Sequence, residues 1–306
     1  MADASGSATI DFTVGSRRLF AIERELATWS FDLEAVLAAS ASEFTPPPAG
    51  KDGLRVLSAP QSAIDAIARL FPEHIIGAQQ VYRRHYIAMT GGYEDYLGRF
   101  SGKTRSTLRR KQRKLAQEAG ESFAITEHRS ASEVEEFLDA ALPLSAKTYQ
   151  ARLLDAGLPE TDVARRAMLE RAEEDEMRCF LLHANGHPIA YLSLPIHGET
   201  LVYAHLGYDP EWARWSAGTV LQMEALERLF AEQRFAYFDF TEGEGAHKAM
   251  FGTDSVECVS FLLLEPTWAN RSLLRARAGF DEVIAISKGV AERSGALGKM
   301  RGFLRA

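Results

Sequence analysis

The stretch Thr200-Leu-Val-Tyr-Ala-His-Leu-Gly-Tyr208, continued by Asp209-Pro-Glu-Trp-Ala-Arg-Trp-Ser-Ala-Gly-Thr219, decides how this chain reads. Its first nine residues are rich in β-branched and aromatic side chains and predict one strand over 200–208. Asp209-Pro210 ends that strand, because proline has no N–H to give to a ladder. Ser216, Ala217, Gly218 and Thr219 then open a helix predicted to run to about Gln233. A strand feeding a helix through such a turn leaves backbone N–H groups free at the positive end of the helix dipole, an anion site suited to a pyrophosphate. Serine and glycine at a helix start are also ordinary capping residues, and that structural reading stands beside the functional one.

The next strand, Phe235-Ala-Tyr-Phe-Asp-Phe240, holds a lone carboxylate, Asp239, inside an aromatic run. An unpaired charge there is costly, so Asp239 needs a partner or a raised pKa, and either condition is common at reaction centres. The structural alternative is that Asp239 shapes a turn and pairs with Lys248. The polar loop beyond it brings Glu242, His247 and Lys248 close in sequence. On the preceding strand, Tyr203 and His205 are two residues apart and are expected on one face. His205 is a candidate base, with a hydrogen-bonded core histidine as the alternative.

Upstream the order of elements is regular: strand 123–128, a helix over 132–142 with Ser132 as cap, an amphipathic helix over 162–174, strand 178–183, an Asn185-Gly186 turn and its partner strand 188–195. A strand over 257–265 follows the loop, and after Pro266 the chain is expected to be helical and basic. The segment 93–119 carries a sparse apolar stripe, Tyr96, Phe100, Leu108 and Leu115, with no acid between Asp95 and Glu118. Arg105, Arg109 and Arg113 recur every four residues and share one face, where like charges destabilise an isolated helix. Either the acidic stretch 170–176 lies opposite, or an anionic substrate, phosphate or membrane headgroup does. The first hundred residues predict a mixed α/β unit, with a mostly helical 18–39, a proline-rich loop at 43–53 and strands near 54–57 and 79–89.

The 306 residues are 46% hydrophobic and 25% charged, which excludes collagen-like, low-complexity and wholly disordered classes. Net charge is −7, from 35 Lys+Arg against 42 Asp+Glu, which argues against a dedicated nucleic-acid binder. That average conceals basic segments at 103–114 and 271–305. Cys179 and Cys258 offer no paired framework, so two small buried thiols are expected rather than disulfides or a cysteine zinc site. No secretory signal and no apolar run near the roughly 20 residues of a bilayer span is present, so a cytoplasmic protein is expected.

The pattern 209–219, followed one helix later by Phe238-Asp-Phe-Thr-Glu-Gly-Glu-Gly-Ala-His-Lys-Ala-Met-Phe251, resembles the CelD/FemAB-like branch of the GNAT acyltransferases, whose pattern is roughly DPxxxxxSxG and then FDFxxGxxxYKxxF. The basic helix 101–115 resembles the element leading into that domain, and the likeness covers about residues 95–265. It departs at His247, where the family pattern has tyrosine, and in the loop R/Q-x-x-G-x-G/A, where Arg214 puts Ala217 at the first glycine. The resemblance implies an α/β (α+β) fold: a GNAT-like mixed, mostly antiparallel sheet flanked by helices. It gives an N-terminal α/β unit over 1–95, an acyltransferase domain over 96–265 and a basic helical segment over 266–306.

By the same resemblance, acyl-CoA is the donor and no metal is needed. Ser216, Ala217, Gly218 and Thr219 meet the pyrophosphate. Backbone groups at Leu206 and Gly207 line the pantetheine and polarise the thioester carbonyl. Asp239 or His205 takes the amine proton, Lys248 steadies the oxyanion or Asp239, and Arg105, Arg109, Glu242 and His247 meet the acceptor. The implied acceptor is a primary amine of an envelope precursor, either an amino sugar or a lipid amine such as a sphingoid base. The basic helices suit peripheral contact with the inner membrane face, and no nucleic-acid partner is expected. Two other readings share the fold: an aminoacyl-tRNA-dependent transferase of the FemAB sort, and a non-catalytic binding module in an envelope-building complex.

Overall fold

The computed structural model describes residues 2–14, 17–38, 45–148, 157–243 and 245–293. The chain forms two compact units, residues 1–84 together with 256–306, and residues 85–255. The first unit is therefore assembled from both ends of the sequence.

In the first unit, β1 (Ala2–Val14) pairs antiparallel with β2 (Arg17–Ser30), and β2 runs parallel to β3 (Gly53–Pro60). β3 pairs antiparallel with β11 (Asp254–Leu264). Helices α1 (Leu33–Ala38), α2 (Ile64–Leu70) and α9 (Trp268–Arg293) accompany them. The expected helix over 18–39 is thus mostly strand. Leu19, Ile22, Leu26 and Trp29 recur at helical spacing, but Phe20, Ile22 and Leu26 also fall at even spacing. Pairing with β1 settles the choice: Phe20 stacks on Phe12 with ring centroids 4.2 Å apart.

The second unit holds α3 (Tyr93–Gly98), α4 (Gly102–Ala119), β5 (Ala124–His128), α5 (Ala131–Lys147), α6 (Asp162–Glu173), β6 (Met177–Ala184), β7 (His187–His197), β8 (Thr200–Val202), β9 (His205–Tyr208), α7 (Ala217–Ala231), β10 (Tyr237–Asp239) and α8 (Ala246–Phe251). Its strand order is β10-β8-β7-β6-β5, with β9 also on β7, and β10 borders Tyr86–Ala88 at the end of β4 (Ile75–Ala88). All neighbours within this order are antiparallel except β10 and β8. This is the mixed, mostly antiparallel sheet flanked by helices that the sequence implied.

Both faces of the sheet are covered, which is why β6 and β7 carry apolar residues on both faces rather than alternating. Phe180, Leu182, Leu192 and Leu194 join the core under α4 and α7, while Cys179, Leu181 and Tyr191 join the one under α5 and α6. Both cysteines are buried, and burial pushes the Cys179 thiol up to about 12. The β6–β7 hairpin turns at Asn185 and Gly186, both at positive φ, the geometry that an Asn-Gly pair favours.

α4 is capped by Ser101, whose side chain accepts from the Thr104 N–H. At α5 the cap is Ser130 rather than Ser132. Ser130 Oγ accepts from the Glu133 N–H while the Glu133 carboxylate takes the Ser130 N–H, a reciprocal pair; Glu135, three residues after Ser132, pairs with Arg165 instead. Among the described residues no helix is long and apolar enough to cross a membrane.

Candidate active site

The expected single strand over 200–208 is two strands, broken at residues 203–204. β7 accepts both, pairing Ile196 with Leu201 on β8 and Ser193 with His205 on β9. β10 follows only the first. It runs parallel to β8 from Tyr237↔Thr200 to Asp239↔Val202, and the last link is Tyr203 N–H to the Asp239 carbonyl at 2.9 Å. Beyond that bond β9 stays on β7 while β10 ends, so a wedge opens between parallel neighbours. Sequence reasoning missed the break because each half keeps strand composition. Tyr203 lies in the break and His205 on β9, so the two do not belong to one strand. Tyr203 packs on Phe238 and Phe240 at the apex of the wedge, and His205 stands on β9.

One wall of the wedge leads into α7. Asp209 Oδ1 accepts from the Glu211 N–H, and Pro210–Trp215 forms a 3₁₀ turn whose Trp212 and Trp215 rings lie 5.1 Å apart. Ser216 then sits at φ 61°, ψ 42°, a left-handed conformation costing about 1–2 kcal/mol for a residue with a Cβ. Its side chain makes no capping hydrogen bond. The first turn of α7, with Ala217 and Gly218 buried and Thr219 half-buried, therefore begins without a side-chain acceptor for its N–H groups. Gly218 brings this turn onto β9: a Cβ there would stand 2.8 Å from Leu206 Cδ2 and 3.0 Å from Tyr208 Cδ1. Gly207 is pressed on its other side, where a Cβ would meet the Tyr191 ring at 2.4 Å.

The other wall follows β10. Asp239 is fully buried, and its Oδ1 accepts the Thr241 N–H at 2.8 Å, holding Thr241 at φ 60°. Lys248, in α8, donates from Nζ to the carbonyl of Glu242 and so pins the loop that Asp239 starts. Glu242 itself is exposed. His247 reaches back to α7, its Nε2 lying 2.7 Å from Gln222 Oε1. Its ring stands edge-on to Phe240 and 4.7 Å from Phe251. Burial, with the charges of Lys111 and Lys248 behind it, holds the His247 pKa below its ordinary 6.5. Gln222 had no signal in the sequence beyond being a lone amide in an apolar helix.

Arg105 and Arg109 are exposed on α4, and with Gly102, Ser106, Gln112 and Arg113 they line an open recess. Arg109 lies 3.9 Å from Glu94, an exposed pair. Two of the 170–176 acids pair with arginines that are not on α4: Asp175 binds Arg178 and Arg234, and Glu176 binds Arg171. The structure thus gathers residues 203–207, 216–219, 239 and 247–248 around the wedge, and places Arg105 and Arg109 on the helix beside it, α4 also reaching α7 through a Gln112–Glu224 hydrogen bond. Among the described residues no cluster of histidine, cysteine or carboxylates suits a metal ion.

Residues 102–249 match the family model of the acetyltransferase (GNAT) domain. This segment, from α4 into α8, carries the likeness to an acyltransferase domain, and the wedge lies within it. No curated protein matches the chain. Among solved structures the chain is similar to the C-terminal domain of a putative lysylphosphatidylglycerol synthetase from Agrobacterium fabrum, at 12% identity over 74% of this chain and 72% of that one, with TM-score 0.48. It is also similar to L-PGS from Bacillus licheniformis, at 14% identity over 73% and 72%, TM-score 0.44. FemX is a third, at 12% identity over 85% and 89%, TM-score 0.47.

Proposed function

We propose that this acyltransferase domain moves an acyl group from acyl-CoA to a primary amine on an anionic envelope precursor, an amino sugar or a lipid amine. The observation that carries the reading is the wedge itself: β9 leaves β10 immediately beside the uncapped first turn of α7. A parallel pair that parts leaves backbone N–H and C=O groups of β9 without a strand partner on that side, and an extended amide-bearing chain satisfies such groups.

The chain's own groups fit the donor. Ser216 and the N–H groups of Ala217, Gly218 and Thr219 bind the pyrophosphate, favoured by the helix dipole. Leu206 and Gly207 present backbone to the pantetheine arm and to the reacting carbonyl. When bound, the thioester supplies an acyl group already activated toward an amine. Asp239 and Lys248 keep the loop after β10 in the shape that bounds the wedge, and the buried aromatic floor of Tyr203, Phe238 and Phe240 excludes water. Arg105 and Arg109 attract the acceptor's negative group. Trp268, 86% exposed at the start of α9, and the exposed Arg271 and Arg275 support contact with an anionic membrane surface.

Calorimetric titration with acetyl-CoA and then with a long-chain acyl-CoA tests the donor. Binding of either is expected, and a preference for the long chain points the acceptor toward lipid. Binding of neither defeats the proposal.

A further inference from the structure

α7 buries an almost wholly apolar face, with Val220, Leu221, Met223, Ala225 and Leu226 all inside. Gln222 interrupts it at 0% exposure. Its Oε1 meets His247 Nε2 at 2.7 Å, while its Nε2 is buried with no hydrogen-bond partner. An unmatched buried amide donor costs about 1–3 kcal/mol. A leucine would fill similar space without that penalty, so what the amide contributes is the bond to His247.

That bond has a direction. With Oε1 toward the ring the amide accepts, which places the His247 hydrogen on Nε2 and a lone pair on Nδ1; with the amide turned over the two roles reverse. No described residue hydrogen-bonds Nδ1. The ring is held in place by Phe251 and by Phe240, and Phe240 in turn touches Tyr203, where β8 ends and the wedge begins. The charged groups facing the imidazole are Lys111 from α4 and Lys248 from α8, both of which favour its neutral form.

Resting on the acyltransferase reading, we propose that Gln222 is a positioning residue that locks His247 in the Nε2–H tautomer, so that Nδ1 takes the proton shed by the acceptor amine. As the amine nitrogen adds to the thioester carbonyl it becomes cationic, and its proton passes to Nδ1. The new carbon–nitrogen bond persists, the carbon–sulfur bond breaks with its electron pair on sulfur, and the imidazolium proton returns to that sulfur or to solvent. His247 is then the group that contacts the reacting nitrogen, and Gln222 acts through it.

Nitrogen NMR of isotope-labelled protein reads the tautomer directly. The wild type is expected to show a protonated Nε2 and an unprotonated Nδ1 at His247, and Gln222→Leu to lose that preference while unfolding at an equal or higher urea concentration. Thiol release from acetyl-CoA with glucosamine as the amine probe is expected to fall about tenfold in kcat for Gln222→Leu and about 100-fold for His247→Phe, with KM for acetyl-CoA unchanged. A wild-type His247 protonated on Nδ1, a tautomer indifferent to Gln222→Leu, or unchanged kcat in either variant overturns the proposal. A wild type that fails to bind acetyl-CoA at all overturns the donor reading instead, and the tautomer measurement still decides whether Gln222 holds His247.

Discussion

A methyl group on Gly218 would stand 2.8 Å from Cδ2 of Leu206, so the first turn of α7 and strand β9 are as close as a hydrogen side chain permits. Gly218→Ala gains about 1 kcal/mol of helix propensity and loses a similar amount to crowding, because the atom met is the end of a flexible leucine. Stability in urea is expected to stay within about 1 kcal/mol of wild type. The displaced Leu206 moves the wedge wall, so acetyl-CoA affinity is expected to weaken about tenfold by calorimetry.

Gly207 is the contrasting case. A Cβ there would lie 2.4 Å from Tyr191 Cε1 and 2.5 Å from its hydroxyl oxygen. That ring is fully buried and its hydroxyl bonds Ser145 Oγ at 3.0 Å, so it has nowhere to go. Gly207→Ala is expected to cost about 1–3 kcal/mol in urea unfolding, where Gly218→Ala does not.

Asp239 separates turn-shaping from proton transfer. Asp239→Asn keeps an oxygen to accept the Thr241 N–H, and thiol release is expected to stay within about threefold of wild type, under 1 kcal/mol. Asp239→Leu removes the acceptor and is expected to reduce both stability and turnover. Loss of turnover in Asp239→Asn with an intact fold would make the carboxylate itself the proton carrier.

Arg178 is 1% exposed and bridges Asp175 at 2.6 Å and Glu232 at 2.9 Å. Removing it strands a mostly buried Glu232, which keeps only Arg129 at 3.0 Å. Arg178→Ala is expected to cost about 3–5 kcal/mol by urea unfolding, more than any surface ion pair in the chain.

The cap of α5 predicts a pH dependence. Hydrogen bonds from the Ser130 and Arg129 backbone hold the Glu133 carboxyl at about 2, below its ordinary 4.5. The folded-state pKa is depressed, so its contribution is fully present above 4.5 and is lost as pH falls through about 2. The stability difference between wild type and Glu133→Gln is expected to be constant from neutral pH to about 5 and to shrink below it, as read from thermal unfolding at each pH.

His247 runs in the same sense, in a higher pH window. Its pKa is held below 6.5, so its neutral form is stable at neutral pH, and stability is lost as pH falls from 6.5 through the folded value.

Much of the second unit was legible because its signals are local. Asn185-Gly186 fixes a hairpin, Asp209-Pro210 stops a strand, and the stripe of Leu108 and Leu115 makes α4 a helix whatever lies around it. The motif residues 216–219 and 239–248 mark the two walls of the wedge for the same reason. Residues 17–30 were misread because their apolar spacing serves two periods, and only pairing with β1 chooses between them.

The sequence by itself determined where strands and helices change over in most of the second unit, and that a helix start would follow a strand ending in Asp-Pro. The tertiary structure decided that this strand breaks at 203–204, so that β10 loses its partner and a wedge forms. It also decided that Gln222 and His247, 25 residues apart, meet at 2.7 Å. Backbone conformation answers to neighbours in sequence, whereas a parting of strands and a buried polar contact exist only when distant segments are packed together.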